Sequence, residues 1–323
     1  MTLDSRVQKL LKFAALRPND LTQPMSVRRT QSNAVSAKGA KLVMRMGPNP
    51  AREVEYSVPV DGGRIRVRCL VPHGPGPHPL YVFIHGGGWC AGTIEEREGR
   101  CRMVSDGARC VVASVDYRLA PENQFPTAPL DCFAALNFLV DHAEELNLDV
   151  TRIAVGGESA GGNLAAALCL LARDRGGPEI MYQWLDVPAL DCTLSQEGHR
   201  NVPDGYLLDA AAIDDYLESY IDDPAEYTNP LASPLLAEDL SGLPPAWIMT
   251  VGYDRLRGDG AAYADALIAA GVDARHTRLD GHIHVSFAFT RLVPSAAAYE
   301  DRAIVALADA FRLAKVRVGS SAS

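Results

Sequence analysis

No apolar run in this chain approaches the roughly 20 residues needed to cross a bilayer as a helix, so no membrane span is expected. An excess of positive charge is also missing. The net charge of −9 argues against a nucleic-acid or anionic-membrane partner. Paired cysteines are lacking too. Cys69, Cys90, Cys101, Cys110, Cys132, Cys169 and Cys192 are odd in number, scattered and nowhere form C-x-x-C. That pattern points to reduced, mostly buried thiols and away from a disulfide framework or a zinc site. Cys90, beside a glycine loop, is the thiol whose alkylation would most affect a site there. The amino terminus, Met1-Thr2-Leu3-Asp4-Ser5-Arg6, has no basic segment followed by an apolar core, and the expectation is a cytoplasmic protein. Internal repeats are absent, and the one low-complexity tract is the short tail Gly319–Ser323.

What remains is an ordinary globular composition, 47% hydrophobic and 22% charged, over 323 residues. That length allows one large α/β domain with inserts. An amphipathic stretch (Val7, Leu10, Leu11, Ala14) opens the chain, followed by a polar, Arg- and Ser-bearing connection. Two β-rich runs, Glu53–Val60 and Arg64–Val71, flank the turn signal Asp61-Gly62-Gly63. Strand-like runs recur at Tyr81–Ile84, Val111–Tyr117, Ile153–Val155, Tyr182–Val187, Trp247–Val251 and Ala274–Leu279. Helical patterns separate most of them, including Leu130–Leu146 and Asn163–Arg173. This alternation implies βαβ units and a mostly parallel, covered sheet with the first hairpin as its antiparallel edge. Between Pro188 and Ala246 lie about 55 residues, far more than an α/β connection needs. The excess reads as an inserted lid, with the amino-terminal helix as its partner.

Two short motifs carry the chemistry. His85-Gly86-Gly87-Gly88-Trp89 follows the apolar run Leu80–Ile84, and Gly157-Glu158-Ser159-Ala160-Gly161 follows Arg152–Val155. The second fits Gly-x-Ser-x-Gly, in which a serine occupies a sharp strand-to-helix turn; the first fits a glycine loop whose N–H groups stabilise an oxyanion. A nucleophilic serine needs a base, and the base needs an orienting acid, in the chain order Ser, Asp or Glu, His. Asp254 ends the run beginning at Trp247, and His284 lies just past Arg275–Leu279. Asp259, five residues on, competes with Asp254, and His282 competes with His284. Strand-end placement favours Asp254, and spacing from Gly281 favours His284. His73, His78, His142, His199 and His276 read as surface or packing residues.

In these motifs the chain resembles the hormone-sensitive-lipase-like esterases (bacterial family IV) of the α/β-hydrolase superfamily. The resemblance rests on His85–Trp89, Asp116-Tyr117-Arg118-Leu119-Ala120-Pro121-Glu122, Gly157–Gly162, Leu243-Pro244-Pro245 and Gly281-x-x-His284. It implies a mostly parallel eight-stranded sheet covered by helices, with a helical cap. The cap helices would occupy residues 1–50 and a cap insert 191–235, around a core at 51–190 and 236–323. It further implies Ser159 as nucleophile, Asp254 as acid and His284 as base. The oxyanion donors would be Ala160 and two glycines of the loop at Gly86, Gly87 and Gly88, with Gly86 and Gly87 foremost. The chain departs from the family at Asp254-Arg255-Leu256, where Asp-Pro-Leu is common, at Glu158, where Asp is commoner, and at Val285-Ser286, where Gly often follows the histidine.

The expected activity is hydrolysis of small esters with short to medium acyl chains, with no metal or cofactor and, by resemblance, as a homodimer. Trp89 would narrow the acyl side or anchor packing. Tyr206, Tyr216 and Tyr220 would line the alcohol side or mark a buried helix face. Three rival classes share part of this pattern. Gly86-x-Gly88-x-x-Ala91 loosely matches a dinucleotide fingerprint, but leaves the Ser–Asp–His order unexplained. A non-catalytic binding protein on this fold would be expected to lack a triad member. An amide or thioester hydrolase would share the triad and differ in leaving-group handling.

Overall fold

Eight strands form one sheet in the order β1-β2-β4-β3-β5-β6-β7-β8, in a computed structural model that describes residues 2–14 and 20–321. Residues 1, 15–19, 322 and 323 lie outside the described residues, as do the side chains of Phe13, Ala14, Ala37, Lys38 and of Lys315 onward. The strands are β1 Arg52–Val60, β2 Gly63–Val71, β3 His78–Ile84, β4 Val111–Asp116, β5 Leu148–Glu158, β6 Tyr182–Asp186, β7 Ala246–Tyr253 and β8 Ala274–Ile283. The hairpin β1–β2 is antiparallel and joins β4 antiparallel, while the pairs from β4 through β8 are all parallel. Parallel strands are covered on both faces and therefore read as continuous apolar runs. β3 is the clearest case, buried at every position.

The faces follow the two-residue period of a strand. Leu80, Val82 and Ile84 pack with Leu136 and Leu139 of α4 (Thr127–Asp141) and Leu164 and Leu168 of α6 (Ala160–Asp174). Tyr263 and Leu267 of α9 (Arg257–Ala269) join the same core. Tyr81 and Phe83 point the other way, toward Val104 of α3 (Glu98–Ala108) and Tyr299, Leu307 and Phe311 of α10 (Pro294–Ser321). The expected helix Leu130–Leu146 is broken at His142 into α4 and the short α5, Ala143–Leu146.

The polar stretch read as a connection contains a 19-residue helix, α2 (Met25–Val43). It carries no apolar stripe, which is why its sequence pattern did not show it. Its two ends pack apolar residues, Met25 in one core and Ala40 and Val43 on the other, and tertiary polar contacts hold the rest. Arg28 binds Asp215 through two bonds of 2.8 Å, and Arg29 donates to the Ala120 and Cys90 carbonyls and to Glu122. α1 (Ser5–Ala14) sits elsewhere: its Val7 is buried with Ile283, Val293 and Ala296 beside the end of β8, and Leu10 and Leu11 pack on that cluster. The insert between β6 and β7 contains α7 (Glu197–Asn201) and α8 (Ala210–Tyr220). Arg28–Asp215 ties α2 to the insert, and Tyr206 of the insert packs on the cluster that holds α1. Among the described residues, no helix is long and apolar enough to cross a membrane.

Candidate active site

The residues that follow the carboxyl ends of β5, β7 and β8 are Ser159, Asp254 and His284. In parallel α/β sheets those ends face the ligand crevice. The chain turns from β5 into α6 at Ser159, whose φ of +56° is a strained value for a residue with a side chain. Glycine makes the turn sterically possible. A Cβ on Gly157 would lie 2.4 Å from the Gly161 carbonyl oxygen, and one on Gly161 would lie 2.1 Å from that of Ile84.

Three side chains meet there. His284 Nδ1 donates to Asp254 Oδ2 at 2.7 Å, which leaves Nε2 to accept from Ser159 Oγ at 2.9 Å. Asp254 is 1% exposed, and its other oxygen accepts the Leu256 N–H at 2.9 Å. The competing residues go elsewhere. Asp259, fully buried, accepts from the Leu190 and Asp191 N–H groups and from His199 Nε2 at 3.0 Å. Burial pushes its carboxyl up to about 6 against the pull of His199. His282 is held between the Ser286 and Ser295 hydroxyls at 2.9 and 2.8 Å.

The glycine loop after β3 lies beside this turn, because β3 and β5 are neighbours. A Cβ on Gly86 would stand 2.8 Å from the Glu158 carbonyl oxygen, and one on Gly88 would stand 2.4 Å from the Tyr216 ring. Gly87, at φ +125°, accepts from the Cys90 and Ala91 N–H groups and turns the loop. Among the described residues, the N–H groups of Gly87 and Gly88 donate to no backbone or side-chain acceptor. Ala160 opens α6, whose first N–H groups have no partner within the helix and favour negative charge. His85 does not enter the site: it stacks on Tyr117 at 4.5 Å, and burial lowers its pKa.

Two cavities adjoin Ser159. One is apolar, lined by Trp89, Leu194, Leu208, Ile213, Leu217 and Leu256. The other includes His284, Gly86–Gly88, Ser32, Ser36 and Glu96 and is more polar. Tyr216 borders both. Trp89 is 4% exposed, stacked on Tyr220 and bonded through Nε1 to Asn163 Oδ1 at 3.3 Å, so it is both wall and anchor. Tyr220 is fully buried. Tyr206 lies against Tyr253, ring centroids 4.8 Å apart, outside both cavity linings. Tyr216 was expected at a pocket, but the aliphatic wall beside it, Leu194, Leu208, Ile213 and Leu217, was not singled out in the sequence. Its signal was the spacing of Ile213, Tyr216, Leu217 and Tyr220 along one face of α8. Cys90 is buried, and burial pushes its thiol up to about 12. No cluster of metal-ligating side chains occurs among the described residues.

Comparison with known proteins agrees with this architecture. A family model described as alpha/beta hydrolase fold matches residues 81–288. The chain is 43% identical to the carboxylic ester hydrolase LipN of Mycobacterium tuberculosis, over 71% of this chain and 64% of that protein. It thus spans just under two thirds of that relative's length. It is 41% identical to an arylesterase of Saccharolobus solfataricus, over 79% of this chain and 84% of the relative. Among solved structures, a hyperthermophilic esterase from the archaeon Pyrobaculum calidifontis superimposes with a TM-score of 0.89 at 33% identity. That match covers 96% of this chain and 99% of the archaeal one.

Proposed function

The chain belongs to the hormone-sensitive-lipase-like esterases of the α/β-hydrolase fold and is a carboxylic ester hydrolase; on that premise we propose that it hydrolyses small, short-to-medium-chain acyl esters through an acyl-serine at Ser159. The observation that carries this reading is the continuous hydrogen-bonded line Asp254–His284–Ser159, at 2.7 and 2.9 Å. His284 Nε2 takes the Ser159 proton as Oγ attacks the ester carbonyl carbon, and Asp254 orients the ring and balances its charge. The oxyanion is held by the Ala160 N–H and N–H groups of the Gly86–Gly88 loop, each worth about 3–4 kcal/mol in a comparable site. His284 then protonates the departing alkoxide. Water, activated by the same nitrogen, hydrolyses the acyl-serine, so no metal or cofactor takes part.

The apolar cavity takes the acyl group, with Trp89 at its wall. The cavity containing His284 takes the alcohol, because its oxygen must lie within reach of Nε2. Residues 1–50 and 191–235 form the cap over a core at 51–190 and 236–323. Seven free, buried thiols suit a reducing, cytoplasmic setting. The chain forms a homodimer through an edge of the sheet; β1 and β8 are its two edge strands, and β8 has the Asp4 N–H bonded to its Gly281 carbonyl at 2.9 Å.

A p-nitrophenyl ester series from C2 to C16, run on the wild type and Ser159→Ala, tests the reading. Fast turnover of short chains in the wild type, lost in the variant, is the expected result. Turnover that persists in Ser159→Ala would overturn the nucleophile, and a maximum at C16 would overturn the substrate class.

A further inference from the structure

Beneath Ser159 lies a buried ionic array that the reaction scheme leaves without a role. Glu158, 2% exposed, pairs with Arg97 Nε and, at 3.4 Å, with Arg100 Nη1. Arg100 Nη2 pairs with Asp186, 1% exposed, whose backbone carbonyl accepts the Ser159 N–H at 2.8 Å. Asp186 Oδ1 accepts from Trp184 Nε1 at 2.9 Å and from the Tyr299 hydroxyl. The Arg100 guanidinium carbon stands 4.7 Å from the Trp184 ring centroid and 5.6 Å from that of Phe287. Phe287 belongs to the loop that carries His284. Arg100 therefore touches the serine turn on one side and the histidine loop on the other.

The charges balance: two guanidinium groups face two carboxylates. An unbalanced carboxylate here would oppose an oxyanion in the neighbouring glycine loop, and would favour a protonated imidazole. A Cβ on Gly86 would meet Glu158 Cγ at 3.3 Å, so the carboxylate-bearing chain runs directly against that loop. We propose that Arg100 is a positioning residue of the reaction, cancelling Glu158 and Asp186 beneath Ser159 and joining the serine turn to the His284 loop through Phe287. This rests on the reading of Ser159 and His284 as nucleophile and base.

Other ionisable groups face the array. His85 and Glu96 face Glu158, and Tyr81 and Glu300 face Arg100. Glu300 is itself paired with Arg45, and Asp254 faces His284 from the end of β7. Cys101 stays neutral, its thiol pushed by burial up to about 11. Burial pushes Glu96 up to about 7, so the profiles below are also recorded in a Glu96→Gln background.

Single substitutions unbalance the array in opposite senses. Arg100→Met leaves one excess negative charge, and Asp186→Asn one excess positive charge. The acidic limb of the kcat/KM–pH profile is expected to move up by about half to one pH unit in the first and down by a similar amount in the second. In Arg100→Met, kcat falls about tenfold with KM within about twofold. The double variant Arg100→Met/Asp186→Asn returns the limb to the wild-type position. A merely structural role would lower activity or Tm without shifts of opposite sign. Limbs that stay in place, or that move together, overturn the proposal. Should Arg100→Met fail to fold, Asp186→Asn decides alone: a downward shift supports the proposal, and no shift or an upward one overturns it. Labelling of the wild type by a p-nitrophenyl phosphonate, absent in Ser159→Ala, is checked first. A wild type that is not labelled, or labelling that persists in Ser159→Ala, overturns the nucleophile itself, whereas a labelled, active enzyme with unmoved limbs overturns only the role of Arg100.

Discussion

The indole of Trp89 lies face to face with the ring of Tyr220, their centroids 4.5 Å apart and their planes within 1°. One residue closes the glycine loop and the other ends α8, so this stack fixes the insert against the apolar cavity. Phe125 meets Tyr220 edge-on at 5.8 Å and completes the cluster. Tyr220→Ala should cost about 3–5 kcal/mol of stability and free Trp89 to swing outward. The expected outcome is a lower Tm together with a shift of the p-nitrophenyl ester profile toward longer acyl chains. An unchanged profile would mean that the Asn163 bond alone holds the indole.

Asp254 and Asp259 are both buried and both bonded to a histidine, yet only Asp254 reaches the histidine that faces Ser159. Asp254→Asn should lower kcat by about four orders of magnitude, because the amide favours the wrong tautomer of His284. Asp259→Asn should instead lower stability by about 1–3 kcal/mol through its bonds to Leu190, Asp191 and His199, with kcat within a few-fold. Steady-state kinetics and thermal melts on the two variants decide; the opposite pattern would exchange their roles.

Asp191, buried at the root of the insert, accepts from the backbone and hydroxyl of both Thr193 and Ser195. Burial alone would raise its carboxyl, but these bonds outweigh it and hold the folded-state value below 3.8. A depressed folded value contributes stability above the unfolded value, and that contribution is lost as pH falls through the folded one. Asp191→Asn should therefore lower Tm at pH 7, and the gap from wild type should close only below about pH 4. A gap that is constant from pH 7 to pH 3 would show that the charge contributes nothing.

Cys90 is buried, and its thiol is held neutral at working pH. Iodoacetamide reacts with thiolate, so the native enzyme should keep its activity at concentrations that alkylate all seven cysteines of the denatured chain. Mass spectrometry of the native protein tests this. Rapid single labelling at Cys90 with loss of activity would show that the loop opens in solution.

The order of chemistry along the chain is a property of the sequence itself. Apolar runs ending at His85, Ser159 and Asp254 mark strand ends, and Gly-x-Ser-x-Gly is legible because the turn allows no Cβ on Gly157 or Gly161. The sheet, its antiparallel edge and the presence of a long insert follow from the same local patterns. α2 was not legible, because long-range partners such as Asp215 and Ala120 hold it where an apolar stripe is lacking. Nor was the Arg100 array, whose guanidinium groups come from the start of α3 and whose carboxylates come from β5 and β6.

Sequence alone also left two histidines, and a feature of the sheet separates them. Leu279 pairs with Val251, and a regular parallel register would set Gly281 opposite Tyr253 and His282 level with Asp254. The register shifts there instead, with Gly252 packed so closely on the Asp280 carbonyl that a Cβ would lie 2.1 Å from its oxygen. Ile283 comes to stand opposite Tyr253, and His284 is carried level with Asp254. Spacing supplied the candidate residues; a bulge between two strands, set by close packing across chain segments far apart in sequence, decided which imidazole faces the serine.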